Sequence, residues 1–146
     1  MSEKKIDMLA RHKARKFAVQ AIYQWQLAQN CLNEIEKQFI EQFEGKRVDI
    51  PYFLMLFNEV PKNISSLDDA FAQHISRTIS EIDPVELAIL RIASYELLNR
   101  PEIPYKVVIN EALELTKTYG STDGFKFVNG VLDKTAKDIR KLEHGQ

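Results

Sequence analysis

Apolar residues recur along this chain at spacings of three and four, with polar residues between them, so most of it reads as amphipathic helix. One stretch breaks the pattern. From Asp83 to Leu98, Val85, Leu87, Ala88, Ile89, Leu90, Ile92, Ala93, Leu97 and Leu98 fall on every side of a helix. A helix without a clean polar face is a buried one. Glu86, Arg91 and Glu96 interrupt it and it makes only about four turns, too short for a membrane span. The pattern predicts the central helix of a soluble bundle, with the other helices packed around it. Its start is well marked: Asp83 as N-cap, Pro84 at the first helical position, and Glu86 three residues on to close a capping box.

The remaining segments follow the helical period. A long helix is predicted from about Met8 to Gln29, with Ala14, Ala18, Ala21, Ile22, Trp25 and Ala28 on one face. Asn33 is expected to cap a second, carrying Ile35, Phe39, Ile40 and Phe43 and ending at Gly45. Asp49-Ile50-Pro51 opens a third, rich in Tyr52, Phe53, Leu54, Leu56 and Phe57, which Pro61 should end or kink. Ser65 or Ser66, with Asp68 or Asp69, is expected to start a fourth through Leu67, Phe71 and Ile75. After the central helix and a stiff Arg100–Pro104 connection, another runs from Tyr105 to Lys117 and closes at Tyr119-Gly120. Ser121-Thr122-Asp123 is expected to cap the last helix, through about Leu142. No alternating strand-like run of useful length appears. The expected fold class is all-α, with about seven helices in a single domain over residues 1–146.

Charge changes this picture locally. The net charge of −1 conceals a gradient: residues 1–33 hold six Lys or Arg against two acids, whereas residues 34–82 hold five against nine. Arg11, His12, Lys13, Arg15 and Lys16 crowd the first turns of the first helix, with no acid between Asp7 and Glu34. Basic residues at a helix N-terminus oppose the macrodipole, each by about a few tenths of a kcal/mol. Selection for stability alone favours acids there, so the turn reads as a phosphate-binding patch; a solvated, frayed helix start is the plainer alternative.

Catalytic patterns are missing. The chain has no phosphate-binding glycine loop, no GxGxxG and no GxSxG. His12, His74 and His144 lack metal-ligand spacing, and the single Cys31 makes neither a disulfide nor a cysteine metal cluster; a buried thiol is expected. No enzyme activity, cofactor or metal is expected. The charged N-terminus lacks a secretory apolar region, so a cytoplasmic location is the default. Three polar or small residues inside apolar helices need reasons. Arg91 should find an internal ion partner, Asn110 a hydrogen bond to a neighbouring helix end or loop, and Gly130 a close helix–helix approach that offsets its cost of about 1 kcal/mol.

Several stretches together resemble one family. These are Ala14-Arg15 with Ala21-Ile22-Tyr23-Gln24-Trp25-Gln26, then Leu90-Arg91-Ile92-Ala93-Ser94-Tyr95-Glu96-Leu97. Ile103-Pro104-Tyr105-Lys106-Val107-Val108-Ile109-Asn110-Glu111-Ala112 and Lys126-Phe127-Val128-Asn129-Gly130-Val131-Leu132-Asp133-Lys134 follow, and these two are the more specific. The chain is similar, end to end, to the NusB family of bacterial transcription antitermination factors. The resemblance implies two packed helical sub-bundles and a basic N-terminal arm, here residues 1–16. It also implies binding of boxA-type single-stranded RNA from ribosomal RNA operons together with NusE, a small-subunit ribosomal protein, within an RNA polymerase antitermination complex.

By matching positions, the resemblance implies RNA contacts at Arg11, His12, Lys13 and Arg15, and at Asp123, Lys126 and Phe127 at the start of the last helix. It implies a NusE face that includes Tyr23 and Glu86. Elementary chemistry supports the RNA part: bases neutralise phosphate, helix N-terminal amides favour anions, and an exposed aromatic can stack on an unpaired base. The family arm is denser in arginine than this one. His12 is mostly neutral at pH 7 and Lys13 lacks the guanidinium fork, so affinity should lean on Arg11 and Arg15. A similar helical domain precedes the catalytic domain of certain ribosomal RNA methyltransferases, but 146 residues leave no room for both. The remaining alternative is a protein-interaction module without RNA binding, self-associating as a homodimer.

Overall fold

The computed structural model describes residues 3–28, 31–119, 122–141 and 143. Among them are seven α-helices and no strand: α1 (Glu3–Ala28), α2 (Leu32–Gln42), α3 (Ile50–Lys62), α4 (Ile64–Ala72), α5 (Pro84–Asn99), α6 (Tyr105–Tyr119) and α7 (Thr122–Ile139). A short 3₁₀ turn, Ile79–Glu81, precedes α5. The chain divides into two compact units, Met1–Lys62 and Asn63–Gln146. The two units match the two helical sub-bundles that the resemblance implies, and the expectation that all the other helices pack around the 83–98 helix is corrected: that helix organises the second unit, and the first has a core of its own. The expected ends at Gln29, Gly120 and Leu142, and the expected cap Ser121, lie outside the described residues.

In the first unit, α1 packs on both α2 and α3. Its Ala14, Ala18, Ala21 and Ile22 are fully buried, the three alanines being small enough to let neighbouring helices approach closely. Aromatic rings fill the space beside them. Phe17 of α1, Phe39 and Phe43 at α2, and Phe53 and Phe57 of α3 form a chain of ring contacts with centroids 4.9 to 6.5 Å apart. The residue preceding α2 is Cys31 rather than Asn33, which lies within the helix. The Cys31 carbonyl accepts from the amides of Glu34 and Ile35 at 3.1 and 3.3 Å, and its thiol is exposed rather than buried because it sits in the connection between helices. Gly45 adopts φ +75°, the left-handed region that favours glycine, as the chain turns toward α3. Asp49 caps α3 as expected, its Oδ1 accepting from the Tyr52 amide at 3.1 Å. Pro61 stands in the last turn, and α3 ends one residue later.

In the second unit α5 is the hub, buried continuously from Leu87 to Leu97 and packed on α4, α6 and α7. Asp83 Oδ1 accepts from the amides of Val85 and Glu86 at 2.9 and 3.2 Å, but Glu86 makes no return bond, so the expected capping box is half-formed. Arg91 finds the expected internal partner: Nε and Nη2 donate to the two oxygens of Asp68 on α4, both at 2.9 Å. Arg140, just past α7, closes the other end. It donates to the carbonyls of Leu97, Ile103, Glu96 and Arg100 at 2.8 to 3.2 Å and pairs with Glu143. One of them, the Leu97 carbonyl, has no helical partner because the residue four places on is Pro101, which has no N–H.

Three smaller expectations change. The residue preceding α4 is Asn63, not Ser65 or Ser66, both of which lie inside the helix; Ser66 Oγ donates back to the Asn63 carbonyl at 3.1 Å. Asn110 is exposed on α6 instead of bonded to a neighbouring helix. Gly130 is not a site of close helix approach, because a Cβ there meets nothing within 4 Å.

Candidate nucleic-acid interface

α1 begins at Glu3 rather than Met8, so the basic run Arg11–Lys16 lies beyond its first two turns and is neither a frayed helix start nor opposed to the dipole; it is posed by its neighbours. Asp49 arrives at the end of the α2–α3 connection, and its amide donates to the Ala10 carbonyl at 3.1 Å, inserting the loop against the helix. Its Oδ2 accepts from Arg11 Nε at 3.4 Å. Both arginines of the turn lie over the Tyr52 ring, with guanidinium carbons 4.3 Å (Arg11) and 5.2 Å (Arg15) from the centroid. Tyr52 itself is only 4% exposed. Beside Arg11 opens a cavity of about 580 Å³ lined by Asp7, Met8, Ala10, Arg11, Arg47, Val48 and Asp49.

These placements divide the expected arm. Arg11 is partly exposed, His12 and Lys16 are half-buried, and Lys13 is exposed. Arg15 is 5% exposed, with its guanidinium carbon over the Tyr52 ring, so it offers less surface than Arg11. The sequence reading missed Asp49 and Tyr52 as the groups that hold the turn. Their one available signal was the Asp49 cap three residues before Tyr52, which had been assigned wholly to starting α3.

The second unit carries the other expected patch. Asp123 and Lys126 are exposed in the first turns of α7, and Phe127 is half-buried beside them. Asp123 is the second residue of α7 and not its cap, since the helix already includes Thr122. Phe127 is not bare: the Arg77 guanidinium carbon lies 4.2 Å from its ring centroid. Arg77 belongs to the loop between α4 and the 3₁₀ turn, and no motif had singled it out.

Of the residues expected on a partner face, Tyr23 is half-buried on α1 and Glu86 half-buried in the first turn of α5. Burial and the neighbouring Asp83 carboxylate push the Glu86 carboxyl above its ordinary value, and the Arg77 charge offsets part of that. Glu81, five residues before, is held below its ordinary value because its carboxylate accepts from Thr78 N at 2.7 Å and Thr78 Oγ1 at 2.9 Å. Among the described residues, no group of three or more His, Cys, Asp or Glu side chains is placed to hold a metal ion. None of the helices is long and apolar enough to cross a membrane.

The sequence model of the NusB family matches residues 12–137, which span both units. The chain belongs to the NusB family. Relatives named transcription antitermination protein NusB include one from Idiomarina loihiensis, 51% identical over 131 residues, covering 90% of this chain and 94% of the relative. Another, from Pseudomonas savastanoi pv. phaseolicola, is 52% identical over 133 residues, covering 91% and 81%. Among solved structures, NusB from T. maritima superimposes with a TM-score of 0.80 at 27% identity, over 93% of this chain and 97% of that one. A NusB chain described in complex with NusE and double-stranded RNA superimposes with a TM-score of 0.81 at 29% identity, over 90% and 98%. The all-α NusB fold therefore extends over nearly the whole chain.

Proposed function

We propose that this protein is a transcription antitermination factor that binds boxA-type RNA of ribosomal RNA operon transcripts together with NusE and joins the RNA polymerase antitermination complex. The observation that carries the RNA reading is the run Arg11–Lys16, which has no acid of its own and whose Arg11 is held on the surface of α1 by Asp49 and Tyr52. Arg11, Lys13 and Lys16 gather cations on one stretch of α1, and such a stretch suits phosphates. In this reading Arg11, His12 and Lys13 face the RNA from the first unit, and Lys126 and Phe127 from the second. Asp123 tempers the second patch, and Arg15 supports Arg11 through the shared ring. Tyr23 and Glu86 belong to the NusE face. Residues 1–146 act as one functional RNA-binding domain in the cytoplasm, with no catalytic step and no cofactor.

The test is a titration of fluorescently labelled single-stranded boxA-type RNA at several salt concentrations, with and without NusE. Binding should tighten when NusE is added, and log K should fall linearly with log salt, by about 0.7 per phosphate contact on a single strand. Binding that ignores salt, or no binding with NusE present, overturns the RNA reading and leaves a protein-interaction module, which sedimentation would then examine for homodimers.

A further inference from the structure

The contact between Arg77 and Phe127 changes what that part of the second unit can do. A bare half-buried aromatic at the start of α7 would offer its face to an unpaired base, but here a guanidinium already covers it at 4.2 Å. A cation over a ring face leaves most of its five N–H donors unspent. Among the described residues Arg77 has no ion-pair partner, and it is exposed. Its loop is fastened on both sides. Gln73 Nε2 donates to Asp138 Oδ2 of α7 at 2.9 Å, and His74 Nε2 lies 2.6 Å from the same oxygen. Beyond Arg77, the Thr78 amide and hydroxyl donate to Glu81. The arginine is thus set in place by its loop and by the ring, and its guanidinium makes no ion pair among the described residues. Lys126, one residue before Phe127, adds a second exposed cation to the same turn of α7.

We infer that Arg77 is an RNA-binding residue that contacts a backbone phosphate, and that Phe127 acts by holding the Arg77 guanidinium rather than by stacking on a base. The inference rests on the proposed reading that RNA meets the start of α7. It adds a residue to that site and reassigns the role of another. A guanidinium pre-set on an aromatic loses less freedom on binding than a free lysine, and its planar fork matches two phosphate oxygens.

Salt-dependent titrations of labelled boxA-type RNA against the full chain separate the possibilities. The variants are Arg77→Ala, Phe127→Leu, their double, and Lys126→Ala, each checked by circular dichroism for an unchanged fold. Arg77→Ala should weaken binding about threefold to tenfold at low salt and flatten the log–log slope by about 0.7. Phe127→Leu should flatten the slope as well, because it releases Arg77, and the double variant should bind little worse than Arg77→Ala alone. If Phe127→Leu weakens binding at an unchanged slope while Arg77→Ala binds normally or more tightly, Phe127 stacks on a base and the inference is wrong. If Lys126→Ala, Phe127→Leu and Arg77→Ala all bind as the parent does, RNA does not meet α7 and the underlying reading fails with it.

Discussion

Each unit of this protein lays a guanidinium against an aromatic ring, to different ends. In the first, the ring of Tyr52 is part of the core at 4% exposure, two arginines share it, and Asp49 takes Arg11 Nε. In the second, the ring of Phe127 is half-buried, one arginine covers it, and no carboxylate among the described residues makes an ion pair with that arginine. The first arrangement therefore joins binding charge to folding: the atoms that pose Arg11 also hold α1 to α3. The second keeps the two apart, because Arg77 and the outer face of Phe127 carry little of the core. A substitution around Tyr52 should report on stability and binding together, whereas one around Phe127 should report on binding alone.

The comparison is tested most severely by removing the rings. Tyr52→Ala opens a hole where a buried aromatic stood, and such truncations cost about 3–5 kcal/mol. It should lower the urea midpoint steeply and reduce RNA binding with it. Phe127→Leu keeps most of the apolar volume at a half-buried position and should cost about 1 kcal/mol or less. Equal losses in urea denaturation would mean that both rings are structural and that the contrast is false.

A smaller effect belongs to Asp49. Asn caps helices as well as Asp, so Asp49→Asn should retain the bond to the Tyr52 amide and nearly all stability. It removes the negative charge beside Arg11, a partly exposed pair worth about 0–1 kcal/mol. With that charge gone, RNA binding should tighten several-fold at low salt and by less at high salt. Unchanged affinity at both salts would show that Arg11 does not face the RNA. Asp123→Asn is the corresponding change in the second unit, and weaker in expectation. At about 6–8 Å and an effective dielectric near 40, one carboxylate–phosphate repulsion is about 1 kcal/mol. Since Asp123 sits inside the first turn of α7, its loss also gives up a favourable dipole interaction of about a few tenths of a kcal/mol. A modest gain in affinity with a slightly lower melting temperature is expected; equal or weaker RNA binding would count against RNA at α7.

How far the sequence could be read follows the range of the interactions involved. Local signals came through: Asp83 and Asp49 as caps, Pro61 near a helix end, the apolar run from Leu87 to Leu97, and a carboxylate for Arg91. The division into two units came only with the family resemblance, because an all-round apolar helix announces burial without saying which helices bury it. Arg140 and Arg77 were missed for the same reason. Arg140 meets carbonyls some forty residues earlier, and Arg77 meets a ring fifty residues later, distances over which no periodicity speaks. Gly130 and Asn110 were misread in the opposite direction: an apolar neighbourhood in sequence suggested burial, yet both lie on outward faces.

The smallest effect separates two carboxylates that flank the start of α5. Glu86 has its carboxyl raised by burial and by Asp83, so the folded protein holds that proton more tightly than the unfolded chain does. Stability then falls as pH rises from the ordinary carboxylate range through the raised folded value, and the deficit persists at neutral pH. Glu86→Gln carries no charge to bury and should melt slightly higher than the parent at pH 7, the difference closing as the solution is acidified below that range. Glu81 has the opposite sign. Its carboxylate is held low by the Thr78 amide and hydroxyl, which favour the charged form. Its contribution is present above the ordinary carboxylate range and is lost as pH falls through the lowered value, so Glu81→Gln should melt lower at pH 7 and match the parent in acid. Arg77 lowers both carboxyls, so Arg77→Ala should deepen the deficit at Glu86 and enlarge the gain from Glu86→Gln at neutral pH. Thermal melts of the single and double variants at neutral and acid pH measure this. An unchanged gain from Glu86→Gln in the Arg77→Ala background would show that the Arg77 charge does not reach the start of α5.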